Sequence, residues 1–66
     1  MLSNREKEIL SLAGLSDKQI AHKLNLSPAT VKFMFAQMRE KFNVQSRTKL
    51  LIEAMKTGEI DLNGVE

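Results

Sequence analysis

The residue types that carry chemistry are sparse in this chain, and their spacing limits what they can do. His22 is the only histidine, beside Lys23, with no carboxylate, thiol or second imidazole at a spacing useful for catalysis or metal binding. It reads as a surface or boundary residue. There is no cysteine, which removes thiolate nucleophiles, thiolate metal sites and disulfides, and suits a reducing compartment. Gly14, Gly58 and Gly64 are too scattered to cradle a phosphate. No enzyme activity, metal or cofactor is expected. What is left is cationic chemistry. Residues 1–56 hold ten Lys or Arg against five Asp or Glu, whereas Glu59, Asp61 and Glu66 lie in the last ten residues, which carry no Lys or Arg. The net charge of +2 averages a basic body and an acidic tail. That distribution fits a nucleic-acid partner and also fits a well-solvated ordinary surface.

The elements that must position these side chains are helices. A chain of 66 residues makes one domain and buries only about 60% of its unfolded surface, so the fold must be simple. Ser3-Asn4-Arg5-Glu6 fits a capping box, with Glu6 reaching back as a cap and salt-bridge partner, and Ile9, Leu10, Leu12 and Ala13 follow as an apolar face. This predicts a first helix over about 4–13, ended by Gly14. Ser16-Asp17-Lys18-Gln19 repeats the signature ahead of Ile20, Ala21 and Leu24, for a short helix over 17–24. Asn25-Leu26-Ser27 is a tight connection. Ser27 then caps a third helix over 28–42, with Pro28 in its first turn and Val31, Phe35, Met38 and Phe42 as its buried stripe. Asn43 to Gln45 breaks the pattern, with Val44 as a core plug. Ser46 caps a fourth helix over 47–57, with Gly58 at its end, and residues 59–66 form a frayed tail apart from Ile60 and Leu62. The fold class is all-α, a four-helix bundle-like domain. No apolar run approaches the ~20 residues that span a bilayer, and no signal-peptide pattern opens the chain, so a soluble cytoplasmic protein is expected.

Two short capped helices joined by a tight connection, the second opening with Ser-Pro-Ala-Thr, are the sequence form of a helix-turn-helix; an ordinary helical hairpin is the alternative. Arg5 to Leu10, Gly14 to Ala21, Leu24 to Lys32 and Lys41 to Thr48 agree in order with the LuxR-type (GerE-like) DNA-binding domain, which the chain resembles from Leu2 to about Ile60. The resemblance implies a cytoplasmic, nucleoid-associated regulator of a bacterial or phage-like setting, reduced to its DNA-binding domain, with no receiver or ligand-sensing domain attached. Its third helix reads the major groove of double-stranded DNA, and its fourth pairs two subunits. Carried over residue by residue, Lys18 and Thr30 contact phosphates, Lys32 and Phe33 face bases, and Lys41 holds the backbone where helix three leaves. Each has a plainer alternative: Lys18 and Lys41 as solvated lysines, and Thr30 as a completed cap. Arg47 is as well read as a structural residue tying helix four to the body as a DNA contact.

The chain departs from the family pattern at Met34, where histidine is common, and at Ala36, a position frequently polar or basic. The base-reading set shrinks to Lys32, Phe33 and Gln37: Lys32 can donate to guanine acceptors, and Phe33 can press on a thymine methyl. Phe33 lies about 200° around the helix from Phe35 and cannot share its burial. The segment joining helices one and two is short for the family, which implies a shortened or shifted helix one. Ile52 and Met55 are assigned to a homodimer interface, because Leu51 and Ala54 are wanted by the core. An exposed aromatic also suits protein contact. A second reading therefore stays open: a protein-binding regulator that pairs with a larger LuxR-type regulator or with transcription machinery such as RNA polymerase.

Overall fold

In a computed structural model, which describes residues 2–60, the chain forms four helices: α1 (Asn4–Ser11), α2 (Asp17–Leu24), α3 (Pro28–Phe42) and α4 (Arg47–Lys56). Four serines start them. Ser3, Ser16, Ser27 and Ser46 stand in extended backbone, and each side chain accepts a hydrogen bond from the amide three residues on. Glu6 and Gln19 return the bond to the cap amides, so α1 and α2 open with complete capping boxes. At α3 the residue in that position is Thr30, whose hydroxyl lies 2.9 Å from the Ser27 hydroxyl.

The helices end by two devices. Asn25 and Asn43 take the left-handed conformation, at φ 58° and 55°, and the next amide reaches back past the last turn, Leu26 to Ala21 and Val44 to Arg39. Glu59 does the same to Ala54 behind Gly58, at φ 78°. α1 ends differently. It stops at Ser11 rather than at residue 13, and the chain tightens into successive i to i−3 bonds, Leu12 to Ile9, Ala13 to Leu10 and Leu15 to Leu12. Leu12, Ala13 and Leu15 are half-buried against the core, and inserting them draws the turn inward. Gly14 is therefore not a left-handed cap; its φ lies outside that region.

α3 is the central element and packs on each of the other three helices. Val31, Phe35 and Met38 from its inner side meet Ile9, Leu10, Ile20, Ala21, Leu50 and Ala54. Burying a side chain the size of Phe35 is worth about 1.5–3 kcal/mol, so this stripe anchors α3. Phe42, expected in the core, is only half-buried at the helix end. Leu2 and Ile60 join the core from the two ends of the described chain, and the Leu2 amide donates to the Glu59 carboxylate at 3.1 Å. Glu59, expected to be part of a frayed tail, is thus tied to the body. Leu62, Asp61 and Glu66 lie outside the described residues. No helix among the described residues is long and apolar enough to cross a membrane.

Gly14 and Gly58 are distinguishable by substitution, since an added Cβ meets nothing at either and only Gly58 has positive φ. Gly14→Ala is expected to raise stability by about 0.4–1 kcal/mol by restricting the unfolded chain. Gly58→Ala should cost about 1–2 kcal/mol. Thermal denaturation of both variants checks the pair, and a loss in Gly14→Ala would return that residue to the role of a cap.

Candidate nucleic-acid interface

The outer side of α3 follows from the depth of its inner side. At about 100° per residue, Ala29, Phe33 and Ala36 fall within about 60° of one another, directly opposite Val31, Phe35 and Met38. All three are exposed, Phe33 to 61%. Lys32 flanks this stripe on one edge, and Thr30 and Gln37 on the other, each of them exposed. Met34 is not on the outer face. It is half-buried and packs against the core, so the apolar run Phe33-Met34-Phe35 divides into an outward, a boundary and an inward residue.

α2 supplies the neighbouring surface. Lys18, in its first turn, shares an open groove with Gln19, Ala21, His22, Leu26 and Pro28, so the starts of α2 and α3 lie side by side. The charge is one-sided. From Ser16 to Arg39 the sequence contains a single carboxylate, Asp17, against Lys18, Lys23, Lys32 and Arg39. Asp17 is occupied by Arg47, whose Nη1 donates to Oδ1 at 2.7 Å. Lys18, Lys23 and Lys32 make no ion pair with any described residue. Glu40 is exposed on the same side as Phe33, one turn beyond Ala36, and ends the cation-rich stretch with a negative charge.

Of the residues singled out from the sequence, Lys18 lies beside the start of α3, and Thr30, Lys32, Phe33 and Gln37 are exposed along the outer side of α3. Lys41 stands apart. Its ammonium donates to both carboxylate oxygens of Glu6, at 2.8 and 3.1 Å, which joins the far end of α3 to α1. Glu6 is the one buried charged residue among those described. Burial pushes its carboxyl up, but the Lys41 ammonium and the Ser3 amide together outweigh that effect and hold it below its ordinary value of 4.5. Sequence reasoning cast Glu6 as a cap with a salt-bridge partner, and Lys41 is that partner. Lys23 and the pairing of Asp17 with Arg47 went unnoticed. The charge asymmetry of residues 16–39 was the available signal for Lys23, while nothing local marks Asp17 as a partner thirty positions before Arg47.

A tight helical pair whose second helix is anchored by its inner stripe and shows a basic-rimmed outer face defines a helix-turn-helix domain. The sequence model of the luxR family of bacterial regulatory proteins matches residues 1–54, and the chain belongs to that family. It is a DNA-binding transcription-regulator domain of that family. It is 37% identical over 60 residues to the transcriptional regulatory protein DegU of Brevibacillus brevis, and 36% over 59 residues to the transcriptional regulatory protein FixJ of Bradyrhizobium diazoefficiens. These matches take in 88% and 86% of this chain but only 25% and 29% of those proteins. The spore germination protein GerE of Bacillus subtilis is 30% identical over 64 residues, covering 94% of this chain and 86% of GerE. A solved structure of the transcription factor GerE superimposes with a TM-score of 0.87 at 32% identity, over 92% of this chain and 94% of that one.

The Glu6 pair gives a pH dependence with a definite sign. Because the folded-state value is lowered, its contribution to stability is complete above the ordinary value of 4.5 and is lost as pH falls through the lower folded-state value. Glu6→Gln is expected to flatten the acid side of a melting-temperature profile while leaving the slope near neutrality unchanged. Equal acid slopes in the two proteins would show that the pair contributes nothing.

Proposed function

We propose that this protein is a sequence-specific regulator of transcription that binds double-stranded DNA as a homodimer. In this reading the first turns of α3 enter the major groove and two copies associate through α4. The observation that carries it is the charge of residues 16–39: their only carboxylate, Asp17, is paired with Arg47, which leaves Lys18, Lys23 and Lys32 on α2 and α3 without an ion pair among the described residues, and Glu40 follows only toward the far end of α3. Such a surface suits the phosphate backbone on either side of a groove, with Lys18 and Thr30 toward phosphates and Lys32, Phe33 and Gln37 toward base edges. Glu40 limits the inserted part of α3 to its first ten or so residues, because further entry brings a carboxylate toward the DNA. Lys41 supports the interface indirectly in this reading, by holding α3 to α1 through Glu6.

Dimerisation is supported by α4, where Ile52 and Met55 are each 46% exposed and, three positions apart, share one side of the helix. One domain of this size makes few contacts. Pairing doubles the phosphate count and sets half-site spacing by symmetry. The exposure of Phe33 also suits a second reading, in which α3 holds another regulator or RNA polymerase rather than DNA.

Three lysines per subunit imply a slope of log K against log salt near −5 for a dimer, at about −0.9 per neutralised phosphate. Lys32→Ala is expected to lower DNA affinity at least tenfold and to make that slope shallower, as read by fluorescence anisotropy on a site selected from random DNA. A slope near zero in the unmodified protein, or full affinity after Lys32→Ala, favours the protein-binding reading. Ile52→Glu should shift the protein from dimer to monomer in sedimentation with its helical content retained. A monomeric parent protein would remove α4 from the proposal.

A further inference from the structure

We infer that this domain recognises the 5-methyl group of pyrimidines in the major groove, so that it distinguishes thymine from uracil and responds to cytosine-5 methylation. The inference rests on the DNA-binding reading and names what the centre of its recognition face takes. That centre is apolar. Ala29, Phe33 and Ala36 form a continuous stripe opposite the core side of α3, and the polar groups Lys32, Thr30 and Gln37 lie at its edges. The Thr30 hydroxyl is already engaged with Ser27, and the Thr30 amide is spent on the Ser27 cap. The stripe therefore brings neither donor nor acceptor to a base edge. Among the groups that base pairs display in the major groove, the pyrimidine 5-methyl projects furthest as an apolar contact, the cytosine C5–H being its flush counterpart, while the oxygen and nitrogen groups are donors or acceptors that would be desolvated without a partner.

The shape of the stripe agrees with this. Phe33 is the projecting side chain, at 61% exposure, and the two alanines let the helix approach closely on either side of it. The surrounding charge selects a polyanion rather than an apolar protein partner. Lys32 lies on the edge of the face and Lys18 beside the start of α3, neither paired with a described residue; Asp17 is bound to Arg47, and Glu40 lies one turn beyond Ala36 at the far end of the stripe. An exposed phenylalanine with Lys32 at its edge, itself lacking any polar group, is suited to a methyl carried on a phosphate-rich surface. Lys32, on the edge of the stripe, can donate to a guanine next to the contacted pyrimidine.

The test starts from sites selected by the protein from random DNA and replaces each thymine in turn by deoxyuridine, which deletes only the methyl. Affinity should fall about fourfold for each contacted methyl, the factor that corresponds to one buried methylene-sized group. Cytosine introduced at the same position should bind less tightly than 5-methylcytosine. Phe33→Ala, at a position where the side chain is mostly in solvent, should keep its helical signal and bind thymine and uracil sites equally. Selected DNA that is bound equally well with thymine or uracil at every position overturns the inference while leaving DNA binding intact. Methyl discrimination that survives Phe33→Ala overturns the assignment to Phe33. Failure of the folded protein to enrich any DNA overturns the DNA-binding reading and the inference with it.

Discussion

Arg47 is the residue on which the arrangement of the domain turns. Its guanidinium donates from Nη1 to Asp17 at 2.7 Å and from Nη2 to the Leu15 carbonyl at 3.1 Å, and it lies 3.8 Å over the ring of Phe35. One side chain from the first position of α4 thereby holds the α1–α2 turn, the first turn of α2 and the central core residue of α3. The planar fork of arginine is what allows this; a lysine could supply the charge but not two divergent donors and a flat face for the ring. The arrangement has a cost, because Nε is buried without a hydrogen-bond partner among the described residues. The stacked ring and the charge-assisted bond to Asp17 offset it.

The same contact shapes the charge of the α2–α3 surface. Asp17 lies at the start of α2, where a carboxylate favours the helix dipole but repels a phosphate. Once bound to Arg47 it keeps the first role and loses most of the second, and the α2–α3 face becomes cationic although its sequence includes an acid. Glu6 and Lys41 do the complementary work at the other end of α3. A carboxylate buried between α1 and α3 requires a partner, and Lys41 supplies it from the last turn of α3. The acidic groups Glu6, Glu8, Glu53 and Glu59 lie on or beside α1 and α4, and Glu40 alone of the described acids stands on the side of α3 that carries Phe33.

Membership of the luxR family and the close superposition on the transcription factor GerE account for the frame, which is kept at 32% sequence identity. Met34 and Ala36 both look like losses of polar recognition when read along the chain. In three dimensions they are unlike one another, since Met34 packs toward the core and Ala36 faces outward beside Phe33.

The sequence by itself determined the local events. Four serine caps, the proline in the first turn of α3, the two asparagines at helix ends and the apolar spacing of Val31, Phe35 and Met38 are short-range features, and backbone geometry allows few ways to satisfy them. The outward direction of Phe33 was legible for the same reason, because helical periodicity fixes the angle between neighbours. Where α1 stops was not legible, since Leu12, Ala13 and Leu15 leave helical geometry to reach a core that other segments build. The pairings of Arg47 with Asp17 and Lys41 with Glu6 were likewise decided only by the tertiary structure. They join residues 30 and 35 positions apart. Nothing local distinguishes a lysine that binds a buried carboxylate from one that waits for a phosphate; packing alone decides which carboxylates are consumed and which cations remain free.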